Sequence, residues 1–373
     1  MKTLNFNYES PEILQEYCNN DNFKNLYSKS KAILVQIFSG IVDEKICLSA
    51  AQAIKNVLPK AQIIGVTTAC GIIEGRLSSK TIVVAVSFFE ATTLKVVIQN
   101  SNNTLDKTFL SPYQIGEKIG NELEHPENKV FIGFGTSLTL NTEQILQGLG
   151  ETNPNTPIAG GNAADDYLNE KTYIFTENEI TDCGFVVAAL RSNNLKVNRH
   201  SHLSWQPIGK EMKVTKASHL KVHTIDNIPA LDIYKKYLAN DIEIDFTEKA
   251  MMFPLLVNRN GVWIARITNS YLPDGTLNLI ADLHEGEMVQ FGFGNIDMIL
   301  ASSLNLVETI IPQNPETLFV YSCAIRRYFM RDSIDLETLP VQNLAPTIGF
   351  FTFGEYFHNK NANEILNTTL TVL

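Results

Sequence analysis

Short apolar segments of strand length alternate with segments of helical spacing along most of the chain. Residues 32–38 form the first dense apolar run, which has the length of a buried strand. In residues 43–58 the apolar side chains recur every three or four positions, which predicts a helix with one buried face that ends before Pro59. The pattern then predicts three further strands, at residues 62–68, 81–89 and 94–99.

The same strand–helix–strand order recurs twice further along the chain. A helix that begins at Ser111, with Gln114 completing a capping box, leads into the second copy. The predicted strand, helix and strand of the second and third copies are residues 130–135, 142–149 and 157–164, then 318–323, 335–343 and 348–355.

The spacing within the three copies is similar. Matched strand positions lie 29 residues apart from Val35 to Ile64, 27 from Ile132 to Ala159 and 28 from Val320 to Ile348. The second strand of each copy also carries a glycine before a turn, and these are Gly65, Gly160 and Gly349. We interpret the agreement as a repeated α/β unit.

The remaining segments add strands and one helix to these units. Residues 183–190 and 195–202 are predicted as a strand pair, residues 251–294 as strand-rich and residues 296–310 as a helix, while residues 1–30 are predicted as a polar leader that packs on the body or frays. Because no low-complexity linker interrupts the chain, we expect an α/β (α+β) fold of repeated strand–helix–strand units with added β-hairpins, in two closely packed domains.

Composition narrows the class of protein. The 373 residues are 44% hydrophobic and 19% charged, which is typical of a globular chain, and the net charge of −10 argues against nucleic-acid binding. No apolar run is long enough for a membrane span, and the N-terminus lacks the layout of a signal peptide. Five scattered cysteines without a CxxC pair indicate reduced thiols, so we predict a cytoplasmic protein with no membrane span.

Histidines are the first candidates for chemistry, since nucleotide-loop, serine-hydrolase and HExxH motifs are absent. His200 and His202 lie two apart on a predicted strand and share one face, as His219 and His223 do if their segment is extended. Such pairs could bind a metal or a haem iron. Surface histidines without a ligand are the more common interpretation, and we predict no metal site.

Polar residues at the predicted strand ends are the second set of candidates. Small polar groups beside glycines at such ends commonly line a ligand cleft, although they also serve as caps and turn formers. Asp165 and Asp166 fit the structural role better, and Cys323 has no base nearby in sequence that would make it a nucleophile. The candidate ligand-binding residues are Thr67, Thr68, Asn162, Ser322, Cys323, Arg326 and Glu355.

These same segments resemble the FIST family. Residues 65–69 (GVTTA) are similar to the GCTTAG-like signature of the FIST N-terminal domain, and residues 160–163 (GGNA) match its later GGNA element. The resemblance continues through residues 205–209 (WQPIG) and 229–238 to the C-terminal domain. There the similar segments are residues 322–326 (SCAIR, resembling SCAGR), 349–355 (GFFTFGE, resembling GFYTYGE) and 367–371 (NTTLT, resembling NQTLT).

Two positions depart from the family pattern. Ile325 stands where the family usually has glycine, and a branched side chain restricts the backbone and close ligand approach beside Arg326. Cys70 and Gly71 replace the usual Gly-Glu after the Thr-Thr-Ala. After the polar leader at residues 1–30, the resemblance sets the expected domains at residues 31–226 (FIST N-terminal domain) and 227–373 (FIST C-terminal domain).

The resemblance implies a cytoplasmic sensory module that binds a small, amino-acid-like metabolite and signals through a histidine kinase, a diguanylate cyclase or a chemotaxis-type protein. The chain ends at the family's last strand, so we expect a separate output protein or domain. One branch of the family binds haem and senses nitric oxide, so a haem sensor is the alternative, with no other cofactor implied. A third interpretation is an enzyme that uses Cys323 or Glu355.

The metabolite hypothesis gives roles to individual residues. Arg326 would supply a positive fork for a ligand carboxylate, and Glu355 would pair with an ammonium group or with Arg326 itself. Thr67, Asn162 and Ser322 would orient the ligand. A ligand between the repeated units would then shift the balance between two arrangements of the halves.

Overall fold

A computed structural model describes residues 1–103, 108–166, 170–238, 246–360 and 362–373. The elements of the first half are β1 (Lys2–Tyr8), α1 (Pro11–Cys18), α2 (Asp21–Lys29), β2 (Ala32–Ser39), α3 (Glu44–Val57), β3 (Ala61–Thr67), β4 (Gly71–Ile73), β5 (Arg76–Ser78), β6 (Ile82–Phe89), β7 (Thr93–Asn100), β8 (Asn102–Asn103), β9 (Thr108–Phe109), α4 (Pro112–Leu123), β10 (Asn128–Gly135), α5 (Thr142–Thr152), β11 (Ile158–Asn162), β12 (Ile174–Phe175), β13 (Ile180–Thr181) and β14 (Gly184–Arg191).

The second half is richer in antiparallel strands. Its elements are β15 (His200–Leu203), β16 (Gln206–Ser218), β17 (Lys221–Ile225), β18 (Ile228–Pro229), α6 (Ala230–Tyr237), α7 (Phe246–Met252), β19 (Leu255–Arg259), β20 (Val262–Arg266), β21 (Thr268–Tyr271), β22 (Leu277–Leu279), β23 (Met288–Phe293), α8 (Ile296–Ile310), β24 (Leu318–Cys323), α9 (Ala324–Met330), α10 (Asp335–Gln342), β25 (Thr347–Thr352), β26 (Glu355–Asn359), β27 (Ala362–Leu366) and β28 (Thr369–Val372).

The repeated unit predicted from sequence is confirmed as three parallel strand pairs. β2 pairs with β3, β10 with β11 and β24 with β25, and at least one helix connects the strands of each pair. The predicted capping box is also present, because Ser111 and Gln114 bond reciprocally at the start of α4. The sequence pattern thus carried enough periodicity to identify the units.

Each parallel pair lies inside a six-stranded mixed sheet. The strand orders are β1-β6-β2-β3-β12-β13, β27-β26-β11-β10-β14-β7 and β15-β28-β24-β25-β4-β5. The second sheet therefore ends in strands from the C-terminal half, and the third ends in β4 and β5 from the N-terminal half. The fold is α+β, and its two adjacent domains exchange strands instead of each closing its own sheets.

Three phenylalanines, one from each repeated unit, meet in the centre. Phe38 stacks on Phe350 with ring centroids 5.0 Å apart, and Phe134 meets both rings edge-on at 5.9 and 5.4 Å. All three are fully buried. The apolar faces of the three sheets therefore share one core, which fixes the strand ends of all three units relative to one another.

Two of the repeat glycines permit close strand approach. A Cβ added to Gly349 would lie 1.6 Å from Val320 O, and one added to Gly160, whose φ is +132°, would lie 1.9 Å from Gly133 O. Any side chain there would push apart the parallel pair. The recurring glycine in the sequence thus has a packing cause.

The N-terminal residues form an integral part of the first sheet. β1 pairs with β6 along its whole length. The sequence pattern predicted β6 but not β1. Leu14 of α1 and Phe23 of α2 are buried, and the Phe23 ring lies 5.2 Å from that of Phe88. Residues 1–30 therefore pack on the body of the protein.

One predicted strand is wrong in extent and pairing. Residues 195–202 were expected to pair with the preceding strand, but a strand begins only at His200 and pairs with β28. Both edges of β14 are already taken, by β10 and β7, so no edge is free for the segment. In the segment before His200, Leu195 and Val197 instead pack against the core.

Candidate functional site

The predicted site residues lie where the parallel strands of all three units end. β3 ends at Thr67, β11 at Asn162 and β24 at Cys323, while Glu355 opens β26. At most 2% of each residue is exposed. The seven buried residues are Thr67, Thr68, Asn162, Ser322, Cys323, Arg326 and Glu355.

Both threonines bond to backbone groups of neighbouring segments. Thr67 Oγ1 accepts from Tyr173 N at 2.9 Å, and Thr68 Oγ1 donates to Phe351 O at 2.7 Å. Asp165 accepts from Glu170 N at 2.8 Å, as expected of a turn former, and Asp166 forms an ion pair with Arg327 at 3.0 Å. These side chains tie segments of the fold together.

Arg326 is fully engaged by protein groups. Its Nε donates to Glu337 at 2.9 Å and its Nη2 donates to the same carboxylate. Nη1 donates to Thr368 O at 2.8 Å, and both Nη groups lie 3.1 Å from Ser204 Oγ. All five donors of the guanidinium are thereby used. A ligand carboxylate would have to displace Glu337, which is itself fully buried.

The suggested pairing of Glu355 with Arg326 is wrong. α10 supplies Glu337 as the partner of Arg326, whereas Glu355 Oε2 accepts from Thr369 N at 3.2 Å and Thr369 Oγ1 at 2.5 Å. Burial raises the pKa of the Glu355 carboxyl well above its usual value of 4.5. Glu355 therefore retains its proton to a higher pH than an exposed glutamate does.

Four buried polar atoms near these strand ends have no hydrogen-bond partner among the described residues. They are Asn162 Nδ2, Ser322 Oγ, Glu355 Oε1 and Asn367 Oδ1. Native proteins rarely leave such atoms unpaired, so we expect water or a bound molecule to satisfy them, as for the six other unpaired buried atoms elsewhere in the described residues.

Three of these side chains come from neighbouring positions at the ends of β11, β26 and β27, with Asn162 on the Tyr356 face of the sheet and Glu355 on the opposite face. Gly161 pairs with Glu355 between β11 and β26, and Asn162 N donates to Gly354 O at 2.9 Å. A Cβ added to Gly354 would lie 3.0 Å from Asn162 Nδ2 and 3.6 Å from Asn367 Nδ2. We call Asn162, Glu355, Asn367 and Thr369 the Asn162 cluster.

Cys323 borders this cluster as a protonated thiol. It is buried against the Glu355 carboxyl, and burial, reinforced by Glu355, raises the pKa of the thiol far above its usual range. A thiol in such surroundings is a poor nucleophile, because the thiolate is the reactive form.

An open groove of about 660 Å³ lies on the other side of Thr369. It runs between β15, the β19–β20 hairpin and the strands β26 to β28. We call it the Trp263 groove, and its walls include Arg199, Leu203, Trp205, Trp263, Phe357 and Thr369. Thr369 also bonds to Glu355, so this residue belongs both to the wall of the groove and to the Asn162 cluster.

The four candidate haem histidines do not form a single group. His200 Nε2 bonds to Gln313, and His202 is partly buried beside Arg326, where desolvation and that charge lower its pKa. His219 is in the turn after β16 with φ +50°, so the conditional pairing with His223 fails. Both ring nitrogens of His223 bond to hydroxyls, of Ser218 and Thr276. In the described part of the chain no three His, Cys, Asp or Glu side chains are grouped to hold a metal ion.

Sequence reasoning missed four residues that shape the site. Asn367 and Glu337 sit in segments assigned only as strand and helix, and their burial has no local sequence signal. Arg199 and Trp263 reach the groove from segments far apart in sequence. Only the asparagine beside a Thr-Thr pair in residues 367–369 resembles the strand-end pattern used for the other candidates.

Comparison with protein-family models identifies the class of protein that this architecture and site define. A FIST N domain model matches residues 33–228, and a FIST C domain model matches residues 230–358. The chain belongs to the FIST family, whose domains are sensors in signal transduction. A comparison with curated proteins gave no match. None of the helices in the described ranges combines the length and apolar character that crossing a bilayer requires.

Proposed function

We propose that this chain is a cytoplasmic input module that binds a small, amino-acid-like metabolite at the Asn162 cluster and relays its occupancy to a separate output protein. A histidine kinase, a diguanylate cyclase or a chemotaxis-type protein is the proposed class of partner. The proposed role is binding and not catalysis, because the one thiol at the site is held protonated.

The unpaired polar atoms of the cluster carry this proposal. Each unsatisfied buried group costs about 1–3 kcal/mol, so a ligand that satisfies several of them gains affinity without new apolar contact. Glu355 Oε1 and Asn367 Oδ1 are acceptors suited to an ammonium group, and Asn162 Nδ2 is a donor for a ligand oxygen.

Binding of an ammonium group also changes the charge of the site. A positive charge beside Glu355 favours the carboxylate, so the proton that burial retains on Glu355 leaves when the ligand binds. The uptake of ligand is thereby coupled to proton release over the pH range below the raised pKa of Glu355.

The cluster combines residues from both halves of the chain, and this is how ligand binding would be transmitted. Asn162 ends a strand of the N-terminal half, whereas Glu355, Asn367 and Thr369 come from the C-terminal half. A ligand that bridges them binds one relative arrangement of the halves more tightly than another. Coupling of about 1–3 kcal/mol is enough for an allosteric signal.

Isothermal titration calorimetry with the twenty protein amino acids tests the proposal. Asn162→Asp removes the unpaired donor but keeps the acceptor for Tyr356, whose hydroxyl lies 2.5 Å from Asn162 Oδ1. Gln36→Glu is the matched control, since Gln36 Nε2 is another unpaired buried amide on β2. We expect at least one amino acid to bind, with affinity reduced about tenfold or more in Asn162→Asp only.

Two results would contradict the proposal. One is that no amino acid binds to the wild-type chain. The other is that Asn162→Asp binds as tightly as the wild type or that both variants lose affinity equally. The second result would place the ligand elsewhere or attribute the effect to general destabilisation.

Haem is the alternative ligand, and one observation favours it. His200 borders a hollow of about 650 Å³ with mixed walls, where the apolar Ile132, Leu195, Phe319 and Leu373 lie beside charged residues such as Lys2, Glu90 and Glu316. Only Nε2 of His200 is hydrogen-bonded among the described residues, so Nδ1 can act as an axial ligand. The hollow would enclose the macrocycle, and haem would supply the gas-binding iron.

The visible spectrum separates the two candidates. A Soret band that His200→Ala removes and His223→Ala retains would support the haem sensor, because both ring nitrogens of His223 are already bonded. Purified protein without a Soret band, also after incubation with hemin, would exclude this alternative.

A further inference from the structure

We propose that the Trp263 groove holds the side chain of the ligand and that Arg199 binds its carboxylate, so the ligand is an aromatic amino acid. This inference rests on the proposed function and names the substrate class of the same site. It moves the carboxylate contact from Arg326, whose donors are used within the protein, to an arginine with free donors.

The charge of the groove favours an anion. Neither Asp nor Glu occurs among the described residues that line it, although the chain has a net charge of −10. Arg199 donates from Nε to His358 O at 3.1 Å, and no carboxylate of the described residues lies within ion-pair distance of its guanidinium. Its two Nη groups therefore remain as a planar fork, the geometry that carboxylates match.

The walls of the groove favour a flat apolar group. Trp263, on the β19–β20 hairpin, and Phe357, on β26, are only partly buried, while Leu203 and Trp205 form further apolar wall. Aromatic side chains gain from offset or edge-to-face contact with another ring. A ligand ring between them would cover surface that the protein leaves open to water.

Glu355 adjoins the groove along β26, with Thr369 between the Glu355 carboxyl and the groove. Glu355 and Phe357 are two residues apart on this strand, so their side chains point to the same face at a separation of about 7 Å. Arg199 is anchored to the same strand at His358. One amino acid can thus place its ring beside Phe357, its ammonium group at Glu355 and its carboxylate at Arg199.

Tryptophan fluorescence of the full chain provides the readout, because both of its tryptophans, Trp205 and Trp263, line the groove. The probes are L-phenylalanine, phenylacetate, phenethylamine and L-alanine, none of which emits when tryptophan is excited selectively. We expect L-phenylalanine to bind most tightly, with phenylacetate and phenethylamine each weaker.

Arg199→Gln tests the carboxylate contact. We expect it to weaken L-phenylalanine and phenylacetate about tenfold or more and to leave phenethylamine unchanged. Arg191→Gln is the matched control, since Arg191 bonds to Asn128 and Leu123 O away from the groove. Trp263→Leu removes one wall without touching Arg199, and it should weaken all three aromatic probes, read from the remaining Trp205.

The inference is overturned if L-phenylalanine leaves the emission unchanged, or if Arg199→Gln binds L-phenylalanine as the wild type does. Should calorimetry show that L-alanine or another non-aromatic amino acid binds in an Asn162-dependent manner at equal or higher affinity, the proposed function stands and this inference fails. If no amino acid binds by either method, both fail.

Discussion

Arg326 and Glu355 lie in the same part of the molecule, are equally buried and were both predicted to bind ligand, yet their surroundings differ. Every donor of Arg326 meets an acceptor of the protein, from Glu337, Ser204 or Thr368. Glu355 instead leaves one carboxyl oxygen unpaired beside the unpaired amide atoms of Asn162 and Asn367. The hydrogen bonds of Arg326 are thus complete within the protein, and those of Glu355 are not.

This difference separates residues that hold the fold from residues that hold a ligand. Residue type and burial do not distinguish them, since charged and polar side chains at strand ends serve both roles. The hydrogen bonds that each group makes do distinguish them, because an unpaired buried polar atom is costly unless a ligand or water bonds to it.

Removing Arg326 should mainly destabilise the fold. Arg326→Ala leaves the buried Glu337 carboxylate unpaired, and breaking a buried ion pair in this way costs about 3–5 kcal/mol. Urea unfolding followed by circular dichroism measures the loss.

The double variant Arg326→Met with Glu337→Leu is the control for this prediction. It removes both charges, and it should recover most of the lost stability because no unpaired charge remains. Unchanged stability in Arg326→Ala would show that the network is not structural and would return Arg326 to the list of ligand contacts.

Glu355 should make the folded state less stable as the pH rises. Its folded pKa is raised above 4.5, so the folded protein holds the proton more tightly than the unfolded chain does. The contribution of Glu355 to stability is therefore fully present below pH 4.5 and is lost as the pH rises towards the folded pKa, by at most about 1.4 kcal/mol per pH unit.

Glu355→Gln keeps the size and an acceptor for Thr369 but does not titrate. The difference in unfolding free energy between this variant and the wild type should therefore increase with pH above 4.5. A difference that stays constant across this range would contradict a raised pKa for Glu355 in the folded protein.

Thiol labelling should change the protein least, and it should show clearly the order in which the cysteines react. Cys183 is the one partly exposed cysteine, and the other four, Cys323 included, are buried. We expect a maleimide to modify Cys183 first in the native protein, as read by peptide mass spectrometry. Preferential modification of Cys323 would instead support an enzyme that uses this thiol.

The repeated unit could be predicted from sequence because its signal is local. Apolar runs, helical spacing and the glycines Gly160 and Gly349 each record their own packing. The exchange of strands between the halves could not be predicted from sequence, since nothing near residues 71–78 shows that β4 pairs with β25. The strand predicted at residues 195–202 failed for the same reason: whether an edge of β14 is free depends on the whole sheet.

Local sequence patterns also led to the candidate site, but only the structure shows which of its residues have unpaired polar atoms. Strand-end patterns led to Asn162 and Glu355, which have unpaired atoms, and equally to Thr68 and Arg326, whose groups are all paired. The partner that decides the matter for Arg326 is Glu337, and its position on α10 carries no sequence mark of a buried ion pair.

The most direct test compares L-phenylalanine binding to Glu355→Gln and Arg326→Lys by calorimetry, with the fold of each variant checked by circular dichroism. The account predicts that Glu355→Gln loses about tenfold or more in affinity, together with the proton release seen in the wild type, and that Arg326→Lys binds within about threefold of the wild type. Loss of binding in Arg326→Lys with wild-type affinity in Glu355→Gln, or no binding to the wild-type chain, would contradict it.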